Sequence, residues 1–312
     1  MQATMFFIFV NNLTTLAVCM LVGYIGRKCG IFTDVNNAAL STTLVKVTLP
    51  CTVFISMMRP FSPTLLIESL ATLLLSAVVY LSGYVLGALL ARVMKASHSE
   101  KRVWQFSLVF ANVGYMGFPI TQAVFGYEGL IYTSMANVSF NVLAFSLGVY
   151  LFKSGDDREN VKANIKSIVL NPALVATYIG FVFFVTGLRL PGVIEDGVGL
   201  VGSMTTPLSM ILVGSILAKN KLRLLVGDPR VLPVIFLRLL GIPVASFFVL
   251  RLFISNPVML GVVVILAAMP AAALTVIFAE QYKGDTALAS KLVALSSALC
   301  LLSIPVISLL LQ

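Results

Sequence analysis

Charge is what this sequence has least of. Asp, Glu, Lys and Arg make up 11% of its 312 residues, less than half of the roughly 25% usual in soluble domains. Hydrophobic residues make up 59% and the mean hydropathy is +1.02, more apolar surface than a water-soluble chain of this length can bury. A soluble enzyme, a nucleic-acid binder and a disordered scaffold are excluded on this ground. Groups suited to catalysis are equally scarce. The single His, His98, lies in a polar connection, and none of the 12 acidic residues falls at the centre of an apolar run. Ser–His and paired-Asp proteolysis therefore have no candidate residues. Cys19, Cys51 and Cys300 lie within apolar runs and Cys29 in a short polar connection, none beside a second Cys or a His. Neither a disulfide framework nor a metal site is expected, and no cofactor is assigned.

What the sequence does have is apolar length. A helix needs roughly 20 apolar residues to cross about 30 Å of hydrocarbon. Ten segments qualify: 5–26, 35–58, 64–91, 103–125, 129–152, 172–188, 194–218, 231–254, 257–280 and 286–311. No period-two alternation recurs at the spacing of a membrane barrel. Met1–Thr4 carries no Lys or Arg, so the first segment reads as a retained helix and not as a secretory signal. The expected fold class is an all-α polytopic membrane protein with ten transmembrane helices.

The charges that remain are sorted by side. Fifteen of the 21 basic residues fall in the connections after spans 1, 3, 5, 7 and 9, whereas Arg59, Arg189 and Arg251 lie on the other side. Basic connections mark the cytoplasmic face, so both termini are expected outside a cell (inner) membrane. The net charge of +9 is then a topology signal, with contact to anionic lipid added, and not a nucleic-acid footprint. Lys46, Arg238 and Lys291 fall within spans. Arg238 and Lys291 lie near the cytoplasmic end and can snorkel. Lys46 is about 16 Å into its helix at 1.5 Å per residue. It is either a functional intramembrane charge or another snorkelling Lys. Trp104, the only Trp, reads as an interfacial anchor.

The longest polar stretch divides the spans five and five. The expected organisation is a first five-helix repeat over 1–152, a cytoplasmic linker over 153–171 and a second repeat over 172–312. An odd number of spans per half inverts the second copy. Pro50 and Pro207, and likewise Pro119 and Pro270, stand at matching positions, 157 and 151 residues apart. Matched interruptions in inverted repeats are a mark of secondary transporters, although proline kinks also serve packing alone.

The sharpest interruption is Asn112-Val-Gly-Tyr-Met-Gly-Phe-Pro119. Gly114 and Gly117 weaken the helix, and Pro119 clashes with the carbonyl near Tyr115. A second half-helix is expected to start at Pro119, with the Asn112 amide at the break. In span 9, Pro270 is followed by Ala271-Ala272-Ala273, so N–H groups from Ala271 onward should be unshielded. Two half-helix N-termini meeting near the midplane attract a carboxylate without a buried Arg. Ser134, Asn137 and Asn141 share one face of span 5, either lining a cavity or joining helices.

With these residues in hand, the chain resembles bacterial members of the auxin efflux carrier family, related to the plant PIN-type carriers. The resemblance rests on Asn112–Pro119, on Ala267-Ala268-Met269-Pro270 followed by Ile277-Phe278-Ala279-Glu280-Gln281-Tyr282, on Leu49-Pro50 and on Asn171-Pro172. It covers nearly the whole chain. It implies a ten-helix fold of two inverted repeats, akin to bile acid–sodium symporters, with crossing broken helices 4 and 9. It further implies a scaffold of helices 1, 2, 6 and 7, often dimeric, and a transport unit of helices 3–5 and 8–10 moving elevator-fashion. Substrate would sit at the crossing, with Asn112 on its carboxylate. The plant pattern N-P-N-T-Y departs here, because Ala173 follows Asn171-Pro172, and malate- or malonate-like acids become alternatives to auxin. The expected function is a secondary transporter of small organic anions. Asn112, Gly114, Tyr115, Pro119, Pro270, Ala271, Asn137 and Asn141 form the expected site, and Lys46 balances a second carboxylate. A channel-like anion pore on the same breaks is the alternative.

Overall fold

The computed structural model of the chain describes residues 2–152, 169–219 and 230–311. Most of the linker expected over 153–171, and the basic residues Lys153, Arg158, Lys162, Lys166, Lys221 and Arg223, lie outside the described residues. Among the described residues all regular structure is helical, apart from one isolated antiparallel bridge between Ala111 and Ala271. In chain order, α1 spans Gln2–Lys28, α2 Asp34–Met57, α3 Pro63–Val93 and α4 His98–Val109. The stretch Val113–Phe152 turns at Gly126 into α5 (113–125) and α6 (127–152). Next come α7 (Pro172–Thr186), α8 (Gly192–Lys219), α9 (Val231–Leu250), α10 (Pro257–Ala267), α11 (Leu274–Gln281) and α12 (Thr286–Leu311). Among the described residues six stretches are each long and apolar enough to cross a membrane: α2, α3, Val113–Phe152, α8, α9 and α12. α7 and α10 are apolar but shorter. The molecule is a polytopic helical membrane protein.

Helix starts are written in Xaa-Pro pairs. Asn171 accepts from the N–H groups of Ala173 and Leu174 ahead of α7, and Asn256 from those of Val258 and Met259 ahead of α10. Proline at the first helical position lacks only an N–H that has no intrahelical acceptor anyway. Other prolines lie inside helices, and at three of them the backbone widens. π-Turns at Leu44–Thr48, Val113–Gly117 and Leu237–Gly241 precede Pro50, Pro119 and Pro243. In each, the residue before the proline donates to the carbonyl five residues back. The wider turn keeps the ring off the carbonyl it would otherwise strike. Pro50 therefore does not interrupt α2. Gly126, at φ 62° and ψ −155°, makes a corner that a side chain would strain.

α1 packs along α8, and α2 against α7 and α8. The α1–α8 approach is backbone to backbone, because a Cβ on Gly23 would collide with the Ile211 carbonyl and one on Gly214 with that of Met20. α3 packs on α4 and on Val113–Phe152, and α10 packs on the same stretch. Between these two groups run a few polar contacts: Ser41 to Tyr115 at 2.7 Å, Thr206 to Gln122 at 2.8 Å and Asn171 to Asn141 at 3.3 Å. Trp104 corrects its reading as an interfacial anchor. It is fully buried, because α4 is enclosed by α3 on one side and α12 on the other.

The helix ends expected on the cytoplasmic side carry Arg27–Asp34, Lys219–Asp34 and Arg230–Glu100 ion pairs at 2.7, 3.1 and 2.9 Å. Ser97 and Glu100 form a capping box at the start of α4. The Ser97 N–H and hydroxyl, with Arg230 beside them, hold the Glu100 carboxyl below its ordinary range. At the opposite ends, the Glu68 carboxylate accepts from Tyr132 at 2.6 Å and from the Asn256 amide at 3.0 Å. It ties together α3, α6 and the start of α10.

Candidate binding site at the helix crossover

Two helices stop in the middle of the bundle and restart. α4 ends at Val109 and α5 begins at Val113; α10 ends at Ala267 and α11 begins at Leu274. The two unwound segments satisfy each other. Asn112 N–H donates to the Pro270 carbonyl at 2.8 Å, and Ala272 N–H donates to the Phe110 carbonyl at 2.9 Å. Unwound backbone at this depth is tolerated only when so paired or when it lines a cavity.

The restart differs from the expected position. α5 begins at Val113 and not at Pro119, because Asn112 caps it and the π-turn absorbs the proline. The Asn112 Oδ1 accepts from the Tyr115 N–H at 3.2 Å, and the Asn112 carbonyl accepts from Met116 and Gly117. In span 9 the expected unshielded N–H of Ala271 is taken by the Ser296 hydroxyl at 3.1 Å, and that of Ala272 by Phe110. In the two crossover segments the N–H groups without a protein acceptor among the described residues are those of Ala111, Gly114, Ala273 and Leu274.

A cavity of about 230 Å³ lies against these groups. Gly114, Tyr115, Ala273 and Leu274 line it, together with Asn112, Asn137, Asn141 and Asn171. Val45, Leu49, Phe140, Phe145 and Ile277 supply apolar walls. A second cavity of about 310 Å³ lies towards α8 and α12, and it shares Asn112, Tyr115 and Ala273 with the first. Of the predicted site residues, Asn112, Gly114, Tyr115, Asn137 and Asn141 come together here. Pro119, Pro270 and Ala271 shape the crossover but do not line the first cavity. Ser134 is left out too; its hydroxyl donates to the Leu130 carbonyl and faces Ser56. Lys46 is exposed on the outer face of α2. The cavity side of that helix belongs to Val45 and Leu49, one turn apart, and Lys46 stands about 100° round from Val45.

The orientation of the amides follows from backbone groups. Asn171 must point its oxygen at the α7 N–H groups it caps, so its NH2 group faces Asn141. Asn141 must then present oxygen to Asn171, and its own NH2 group donates to the Asn137 carbonyl at 2.8 Å and to the Asn137 Oδ1 at 3.2 Å. That consumes the Asn137 oxygen. At Asn112 the oxygen is held by Tyr115. The NH2 groups of Asn112 and Asn137 are thus left without a protein acceptor among the described residues, in the wall of the cavity beside the four backbone N–H groups. Each of these amide oxygens already accepts at least one hydrogen bond from within, whereas two whole NH2 groups remain unused, so donors predominate. Such a lining suits an anion.

Sequence reasoning missed Arg238. It does not snorkel: it is 2% exposed, the one charged side chain fully buried among the described residues. Its Nε donates to the Met269 carbonyl at 2.9 Å and its Nη1 to the Leu108 carbonyl at 2.7 Å. Asn171 was read only as part of a motif, although it orients the amide chain. A basic residue facing a bundle interior was the available signal for Arg238, but its partners lie 31 and 130 positions away.

Unwound helices enclosing a polar cavity inside a membrane bundle define a class, that of membrane transporters. The chain belongs to the membrane transport protein family, the auxin efflux carriers, whose family model matches residues 8–308. It is 26% identical over 300 residues to an uncharacterized transporter of Methanothermobacter thermautotrophicus, covering 95% of this chain and 96% of the relative. It is 23% identical over 295 residues to the uncharacterized transporter MJ1031 of Methanocaldococcus jannaschii, covering 92% and 94%. To the uncharacterized transporter YfdV of Escherichia coli K12 it is 20% identical over 281 residues, covering 88% of each chain.

Proposed function

We propose that this transporter carries small organic anions, with a carboxylate seated at the crossover. The observation that carries this reading is the donor-rich lining of the cavity: two side-chain amides and four N–H groups, with every amide oxygen already engaged at least once. The carboxylate takes its hydrogen bonds from Asn112, Asn137 and the first turns of α5 and α11, and the apolar walls receive the rest of the molecule. Ten membrane passes in two inverted repeats, with both termini outside the inner membrane, accord with the pairing of two broken spans in antiparallel fashion. A scaffold of α1, α2, α7 and α8, dimeric in the membrane, fits the tight α1–α8 packing. The remaining helices then move as the transport unit, and the polar contacts across the seam are few enough to exchange during such a movement. Among the described residues no acidic side chain lines the first cavity, which favours the anion's own gradient, the membrane potential or exchange as the driving force.

The test is a screen of acetate, malonate, malate and indole-3-acetate for thermal stabilisation of the purified protein, followed by counterflow in proteoliposomes. Saturable stabilisation and trans-acceleration are expected, and both decline in Asn112→Ala. Unitary currents without trans-acceleration would instead show an anion pore.

A further inference from the structure

The crossover is polarised, and the cavity accounts for only one of its poles. The N–H ends of α5 and α11 face the cavity. The carbonyl ends of α4 and α10 face the other way, towards α9, where the partial negative charges of two helix C-termini gather. Carbonyls exposed by broken membrane helices commonly hold a mobile cation that drives transport. Here the Arg238 guanidinium occupies that place, bridging the Leu108 and Met269 carbonyls from a fully buried position. No carboxylate pairs with it among the described residues, and its Nη2 has no hydrogen-bond partner. A buried unpaired cation is costly. Its compensation comes from the carbonyls it touches and from whatever negative charge arrives on the far side of the same crossover.

We propose that Arg238 is the fixed counter-cation of the crossover. It neutralises the carbonyl ends that a bound metal cation would otherwise neutralise, it makes anion binding independent of sodium, and it raises the affinity of the cavity for a carboxylate through its charge. It is a positioning and electrostatic residue and does not touch the substrate. This inference rests on the reading of the cavity as a carboxylate site, and its test is arranged so that the two fail separately.

Malonate-induced thermal stabilisation of the purified wild type is measured in sodium chloride and in choline chloride. The apparent affinity is expected to be the same within twofold; a sodium requirement overturns the proposal. In Arg238→Gln the apparent affinity falls by tenfold or more, and Arg238→Lys retains most of it. The stability of Arg238→Gln without any carboxylate rises with millimolar guanidinium chloride at matched ionic strength, whereas the wild type does not respond. Equal affinity in the Gln variant, or no guanidinium response, refutes the counter-cation role. Should Arg238→Gln fail to fold, the sodium comparison on the wild type and the affinity of Arg238→Lys still decide; a Lys variant that folds but has lost all malonate response counts against a role by charge. If neither malonate nor any other carboxylate in the screen stabilises the wild type, the anion reading fails, while the guanidinium response still reports on Arg238 alone.

Discussion

Asn112→Asp separates the cap from the donor at the centre of the site. Asn112 does two jobs: its Oδ1 accepts from the Tyr115 N–H and starts α5, and its NH2 group faces the cavity. Asp keeps the first job, since it caps helices as well as Asn does and its charge is favourable at a helix N-terminus. The unliganded protein should therefore melt near the wild-type temperature. The second job is inverted, because a donor becomes an anionic acceptor. Loss of a hydrogen bond to a charged group costs about 1.5–3 kcal/mol, or about ten- to a hundredfold in affinity. Repulsion between like charges at about 4 Å adds up to about 4 kcal/mol at an effective dielectric of 20. Malonate binding, followed by thermal shift across a concentration series, should weaken by at least about tenfold. It should recover in part at lower pH, where a protonated carboxyl regains a donor. A variant that melts normally and binds malonate within twofold of wild type at neutral pH would refute the assignment of Asn112 as a donor to the anion.

Other expectations follow from the same geometry. Lys46→Gln should leave malonate affinity unchanged within twofold, since Lys46 lies off the cavity; a larger loss in the same titration would return it to the site. Gly214→Val should lower the melting temperature in detergent by an amount matching about 1–3 kcal/mol of overpacking, because its Cβ meets the Met20 backbone. Gly192→Ala, with open space around it, serves as the neutral comparison. Ser97→Ala should cost about 1 kcal/mol through the lost cap. Glu100 has a lowered pKa in the fold, so its contribution is complete above the unfolded carboxyl value and is lost as pH falls through the folded one. Glu100→Gln should accordingly narrow its stability deficit relative to wild type on acidification, as read from melting curves at pH 7 and pH 4.

The sequence displayed the parts of this site that break a local pattern. Asn112, Asn137 and Asn141 are amides in apolar runs, and Gly114, Pro119 and Pro270 are helix-weakening residues within such runs, so both crossing segments could be found by inspection. What stayed hidden depends on phase and on distant partners. Whether Lys46 or Val45 faces the cavity is decided by helix rotation, and the π-turn at Leu44–Thr48 has no signature beyond the proline that follows. The restart at Val113 depends on a cap and a widened turn that together displace the break from Pro119. Arg238 looked like a residue able to reach the interface because its carbonyl partners belong to helices elsewhere in the chain. Trp104 misled for a similar reason: aromatic anchors are recognised by nearness to a span end, and enclosure of α4 is a tertiary matter.

The bridge between Ala111 and Ala271 has a mechanical meaning. Most helix contacts in a bundle are made through side chains, which slide and re-pack with modest resistance. At the crossover two stretches of main chain are instead riveted by a reciprocal pair of hydrogen bonds, at positions 160 residues apart. Pro270 has no N–H to offer, so the ladder cannot lengthen. The joint is one pair long, too short to act as a sheet and too stiff to act as a loop. A displacement of either broken span would be passed to the other at that point, through main chain and not through side chains.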